Sequence, residues 1–329
     1  MTKTIHWGIL GTGSIAHKFA TGLNDLPDTE LLAVGSRSQE SADAFGDEFS
    51  IPRRHSSYEA LANDPDIDAV YVATPHPFHK ENTLLLLRAG KAVICEKPFA
   101  MNATEAQEMI TEAKSQGQFL MEAMWTRFLP HILKVHELIA EGAIGELRMV
   151  QADFGFRMGE VKPEHRLFDP ELGGGALLDV GIYPVALAHS LLGAPTDIKS
   201  FGNLGKTGVD EEAAILFKHA EGQLSLLSTA IQLNTPHEAF LIGTEGRIHM
   251  HTGWWRPSSF TLYKNGAEPE MFEPDCPLNG YNYEALELNR CIREGLQESP
   301  TMTLDETLSV MKTLDKIRAQ WGLRYPAEA

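Results

Sequence analysis

Short apolar, β-branched runs alternate with amphipathic stretches through the first third of the chain. Residues 5–10, 31–36, 69–73, 92–95 and 119–123 read as buried strands. Residues 14–24, 39–49, 79–89 and 103–116 read as helices between them. Strands alternating with helices predict βαβ units, a parallel sheet and right-handed crossovers. After about Trp125 the rhythm changes. Residues 131–141 are still helical, 147–154 alternate as a strand with one wetter face, and a helix is expected over 175–192. Residues 212–218, 222–232, 237–242 and 247–251 read as strands joined by turn residues, which predicts a large, mainly antiparallel sheet. Helices return at 282–294 and 303–320, the second opening on a cap-like Thr303-Leu304-Asp305-Glu306. The expectation is α/β: a dinucleotide-binding domain over 1–124 and a substrate and dimerisation domain over 125–329, with the C-terminal helices free to pack back on the first.

Composition narrows the function classes. The 329 residues carry 28 Lys and Arg against 45 Asp and Glu, a net charge of −17. Nucleic acid and anionic membranes need clustered cations, so neither is expected as a partner. Length alone suggests about two domains. Three widely spaced cysteines exclude a disulfide framework and fit a reducing, cytoplasmic setting. Met1 to Trp7 lacks a signal peptide's apolar stretch, and no run is read as reaching the ~18 apolar residues of a membrane span.

Gly11-Thr12-Gly13-Ser14-Ile15-Ala16 follows the first strand and opens the first helix. Glycine permits the tight turn and close approach to a pyrophosphate, and the helix N-terminus offers unpaired N–H donors. In a βαβ setting this marks a Rossmann dinucleotide site rather than an idle turn. The second strand ends Val34-Gly35-Ser36-Arg37-Ser38, without the carboxylate that accepts from an NAD ribose. Arg37 can pair with a 2′-phosphate, and Ser36 and Ser38 can donate to it. The expected cofactor is therefore NADP(H); the bland alternative is a solvated arginine.

Glu96-Lys97-Pro98 ends the fifth strand, at the sheet edge where doubly wound folds bind ligands. Gly173-Gly174-Gly175 precedes Asp179 and Tyr183, which lie four apart and share a helical face. The glycines are expected to let backbone and ligand approach closely. An ammonium ~4 Å from a phenol is worth about 4 kcal/mol at an effective dielectric of 20. That suffices to lower a tyrosine by about two units. Lys97 can thus tune Tyr183 for proton exchange, with Asp179 orienting the lysine. A capping aspartate beside a core tyrosine is the commoner meaning of such a pair taken alone.

Together these residues resemble the Gfo/Idh/MocA oxidoreductases, a family joining a Rossmann domain to an α/β domain with an open sheet. The resemblance runs nearly end to end and includes Ala73-Thr74-Pro75-His76-Pro77-Phe78-His79. Glu122 to Phe128, Asn289 to Gly295 and Trp321 to Pro326 are similar to the dihydrodiol dehydrogenase branch. The resemblance implies NADP-linked interconversion of a carbinol and a carbonyl in a trans-dihydrodiol, aldose or related sugar. It implies Lys97, Tyr183 and Asp179 as catalytic, and Trp125 and Phe154 beside Tyr183 on the substrate wall. It places Gly11, Thr12, Gly13, Ser14, Ile15, Ser36, Arg37, Thr74, Pro75, His76, His79, Glu96 and Lys97 at the cofactor. It also implies a homodimer formed through the open sheets. Tyrosine at 183, where cyclitol relatives carry histidine, favours dihydrodiols or sugars. Two rival functions share the fold's features: an NAD-dependent glycosidase working by transient oxidation, and a non-catalytic NADPH sensor.

No metal is expected, because His76 and His79 lack a completing Cys or carboxylate cluster. His249 and His251 read as a sheet face, and Trp254-Trp255 as a sugar wall, an interface or core. Arg157, His165 and Arg166 fall in a loop without an assigned role.

Overall fold

A computed structural model describes residues 3–23 and 26–328. Met1, Thr2 and Asn24, the last residue of the first helix as read from sequence, lie outside the described residues. The chain divides into two compact units, Met1–Phe128 with Pro277–Leu308, and Leu129–Cys276 with Ser309–Ala329. A late segment thus groups with the first unit.

The first unit holds a six-stranded parallel sheet in the order β3-β2-β1-β4-β5-β6. Its strands are β1 (Ile5–Leu10), β2 (Thr29–Gly35), β3 (Arg53–His55), β4 (Ala69–Val72), β5 (Ala92–Glu96) and β6 (Leu120–Ala123). Helices α1 (Ser14–Leu23), α2 (Gln39–Glu48), α3 (Tyr58–Ala62), α4 (His79–Arg88) and α5 (Ala103–Gln116) connect them. Every residue of β4 and β5 is buried, as expected of central parallel strands covered on both faces. The order reverses between β1 and β4, which puts Gly11 and Thr74 at the topological switch point. β3 and α3 are short and half-polar, and the sequence pattern did not announce them.

The second unit begins with α6 (Pro130–Ala140) and is built on an eight-stranded sheet ordered β14-β13-β12-β11-β7-β10-β9-β8. The strands are β7 (Leu147–Gly155), β8 (Asp197–Leu204), β9 (Asp210–Lys218), β10 (Leu224–Ala230), β11 (Ala239–Gly243), β12 (Gly246–Met250), β13 (Phe260–Lys264) and β14 (Glu270–Phe272). β7 and β10 run parallel, and the other pairs are antiparallel. α7 (Ile182–Leu192) packs on β7 and β10. On the other face Phe201, Leu216 and Leu226 are exposed, at 84%, 43% and 40%. Leu216 and Leu226 are direct cross-strand partners. The helical stretch Pro170–Leu192 is long and apolar enough to cross a membrane by composition, contrary to the sequence reading, but 83% of its apolar window is buried inside this unit. It is a core helix here.

α8 (Asn282–Glu294) belongs to the first unit, where Asn289 Oδ1 accepts a buried hydrogen bond of 3.0 Å from the Trp7 indole. The division between units falls within α9 (Leu304–Gln320).

Candidate active site

In the first unit β1 delivers the chain to Gly11, whose φ is +105°. A Cβ there would stand 3.0 Å from the Ala73 carbonyl oxygen, so the turn admits glycine alone without strain. At Gly13 the opposite holds, since a Cβ would find nothing within 4 Å. The backbone of Thr12 and Gly13 and the first N–H groups of α1, at Ser14 and Ile15, therefore border open space at a helix N-terminus. This is a cradle that suits a pyrophosphate. Beyond β2, Ser36 is buried and Arg37 exposed, and Arg37 joins no ion pair among the described residues. The Ser38 hydroxyl caps α2, accepting from the Ser41 N–H at 3.2 Å and donating to the Ser41 hydroxyl at 2.9 Å.

The β4 and β5 ends are tied together by His79. This ring is wholly buried, with Nδ1 2.8 Å from the Pro98 carbonyl and Nε2 2.8 Å from the Thr74 carbonyl. Burial holds its pKa below the usual imidazole value. His79 is thus spent on bracing Thr74 and Pro75 against the Lys97-Pro98 turn, which contains a cis peptide bond. Asn82 donates to the Thr74 hydroxyl at 3.1 Å. His76 is buried beside His79, their ring centroids 5.8 Å apart. Glu96, 5% exposed, accepts from the Tyr71 hydroxyl and from the Lys97 N–H at 3.1 Å. Glu284 of α8 is also wholly buried, and neither of its oxygens has a hydrogen-bond partner. Burial, then the neighbouring Glu96, holds Glu284 well above the usual carboxyl range. Trp125 stacks on Tyr281, centroids 4.3 Å apart and planes 8° apart.

In the second unit Asp179 and Tyr183 are set by an irregular helix. Leu177–Gly181 forms a π turn that leads straight into α7. Pro184 carries no N–H and crowds the carbonyl four residues earlier, at Val180, and the backbone opens into the wider turn just there. Val180 and Ala176 anchor the turn in a core with Leu167, Phe168 and Ile231. Two of the three glycines are required by this packing. A Cβ on Gly174 would lie 2.7 Å from the Leu167 carbonyl oxygen, and one on Gly175, at φ +115°, would lie 2.2 Å from Asp210 Oδ1.

Asp179 is buried and receives a 2.8 Å hydrogen bond from the half-exposed Arg166. Tyr183, 7% exposed, packs on Phe154 with centroids 5.4 Å apart. Phe154 in turn stacks on Trp255 at 3.5 Å, and His237 meets Trp255 edge-on. Trp254 is the core member of its pair, donating to the Asp153 carbonyl at 2.9 Å. Sequence reasoning left Arg166 unassigned, doubted Trp255 and passed over Asp210, Tyr71 and Glu284. Among these only the loop position of Arg166 offered a signal. No cluster of three metal-ligating side chains occurs among the described residues.

Comparison with known proteins agrees with this geometry. The family model described as "Oxidoreductase family, NAD-binding Rossmann fold" matches residues 5–124, and the "GFO/IDH/MocA C-terminal domain" matches 132–249. The trans-1,2-dihydrobenzene-1,2-diol dehydrogenase of Mus musculus is 38% identical over 98% of this chain and 99% of its own. The aldose-aldose oxidoreductase of Caulobacter crescentus superposes with a TM-score of 0.88 at 26% identity, covering 97% of this chain and 98% of that one. A 3-ketoreductase from Actinomadura kijaniata, solved with NADP and TDP-benzene, gives 0.84 at 26% identity, over 96% and 98%. The switch-point glycines and the two-sheet architecture thus carry a shared descent as well as a shared shape, and the chain belongs to the Gfo/Idh/MocA family of oxidoreductases.

Proposed function

We propose that the protein is an NADP-dependent dehydrogenase/reductase acting on the CH–OH carbon of a trans-dihydrodiol, aldose or related sugar. The observation that carries this is the buried Asp179–Tyr183 pair, Asp179 on the π turn and Tyr183 at the start of α7, where it packs on Phe154 of the Phe154–Trp255 stack. An aromatic wall beside a phenol suits the apolar face of a sugar or a dihydrodiol ring. The dihydrodiol dehydrogenase relative and the aldose-aldose oxidoreductase neighbour support the same substrate class.

In this reading the first unit holds the dinucleotide and the second the substrate. Gly11 to Ile15 take the pyrophosphate, and Ser36 and Arg37 the 2′-phosphate. Thr74, Pro75, His76 and Glu96 border the nicotinamide end, with His79 as their support. The bound dinucleotide supplies or accepts a hydride at the substrate carbon. Tyr183 exchanges the hydroxyl proton, Lys97 places positive charge at the oxygen, and Asp179 keeps both in orientation. Trp125 and Phe154 exclude water from the substrate. The exposed Phe201, Leu216 and Leu226 support a homodimer through the open sheet. Cys95, Cys276 and Cys291 form no disulfide, which supports a reducing, cytoplasmic setting.

The test is a fluorescence titration with NADPH and NADH, followed by absorbance assays on trans-dihydrodiols, D-xylose, D-glucose and α-dicarbonyls. NADPH is expected to bind more tightly and to turn over. Tyr183→Phe and Lys97→Met are expected to lose about a hundredfold or more in kcat/KM while still binding NADPH. Wild-type kcat/KM in both variants would sink the proposal.

A further inference from the structure

Asp210 opens β9 and is wholly buried. Its Oδ2 accepts a 2.7 Å hydrogen bond from the N–H of Leu177, the first residue of the π turn. Its Oδ1 is sealed from solvent with no hydrogen-bond partner, and it fills the space that a side chain on Gly175 would need. The amides of Ala176 and of Asp210 itself also favour its ionised form. From the other side, the Tyr325 hydroxyl donates to the Gly174 carbonyl at 2.8 Å. The glycine loop and the start of the helix are thus pinned at two points, two and six residues before Asp179 and Tyr183 respectively for the Leu177 contact.

A carboxylate sealed among apolar groups with one oxygen unpaired is costly, and packing alone would be served as well by an uncharged side chain. What a carboxylate offers is a strong acceptor for the first, otherwise unpaired N–H groups of a helix, with a charge that complements the helix dipole. We propose that Asp210 is a positioning residue, a buried carboxyl group that fixes the π turn carrying Asp179 and, through it, the start of α7, which carries Tyr183. The role in turnover rests on the function proposed above, whereas the anchoring of the turn does not.

Burial pushes the Asp210 carboxyl up to about 7, so its charge changes within the working range. The groups facing it and its neighbour Tyr325 are few. Arg318 lies 5.5 Å over the Tyr325 ring and is itself paired with Asp315 and Glu328. On the loop side Arg166 is engaged by Asp179. Burial outweighs the amides of Leu177, Ala176 and Asp210, so the native turn favours the protonated acid, and the anchor weakens as pH rises through about 7 and Asp210 ionises.

Two readouts test this on the full-length protein. Amide hydrogen exchange of residues 176–183, corrected for intrinsic rate, is expected to quicken several-fold as pH rises through about 7. In Asp210→Asn that pH dependence is expected to vanish. In the variant kcat is expected to fall about tenfold and lose the alkaline limb that Asp210 imposes, while NADPH binding stays unchanged. A flat exchange profile in the wild type, which needs no variant to fold, would overturn the proposal. So would an Asp210→Asn protein that keeps the alkaline limb. If the exchange profile shows the transition but Tyr183→Phe turns over normally, the anchoring stands and the proposed function falls.

Discussion

Arg37 stands where β2 ends, exposed and unmatched by any carboxylate among the described residues. A guanidinium in that position suits a doubly charged phosphate, and a carboxylate there would repel it. Arg37→Glu is therefore expected to weaken NADPH binding at least tenfold, about 1.4 kcal/mol, and to spare NADH. An equal loss for both dinucleotides, measured by the same titration, would remove Arg37 from the site. Residues of this kind were legible in the sequence because strand ends and glycine turns fix their place in the fold. Gly11, Thr74 and Lys97 sit at strand ends, and a short apolar run is enough to find them. Arg166, Asp210 and Glu284 were not legible. Their partners are 13, 33 and many more residues away, joined only by the packing of loops, strands and helices.

Elements differ in the same way. The buried strands of the first unit announced themselves, since both faces are apolar. The edge strands β8 and β14 did not, because polar or charged residues, and in β8 a glycine, interrupt their alternation, and β13 beside β14 is only five residues long. The helix expected over 175–192 exists, but periodicity could not show the π turn at 177–181 or the reason for the glycines before it. Those glycines lead to a prediction at this scale. Gly175→Ala puts a methyl into Asp210 at a φ that only glycine adopts cheaply. It is expected to cost about 2 kcal/mol or more, and to lower Tm while sparing dinucleotide binding. Unchanged Tm by calorimetry would mean that the loop relaxes freely.

On the scale of the whole molecule, the net charge of −17 and the apolar open sheet work against each other. Acidic chains repel, but salt screens that repulsion beyond about 8 Å under physiological conditions. A face carrying Phe201, Leu216 and Leu226 gains from being covered. Leu216→Glu is expected to shift sedimentation from dimer to monomer, and a wild type that sediments as a monomer would refute the pairing. A different consequence follows from the segment Pro277–Leu308, which belongs with the first unit although it lies near the end of the chain. The Trp7 indole finds its acceptor at Asn289. During synthesis the N-terminal strands emerge first and must wait for nearly all of the remaining chain before this contact can close. The nucleotide-binding half is thus the first part to be made and among the last to be finished, and the order of translation is not the order in which its core is sealed.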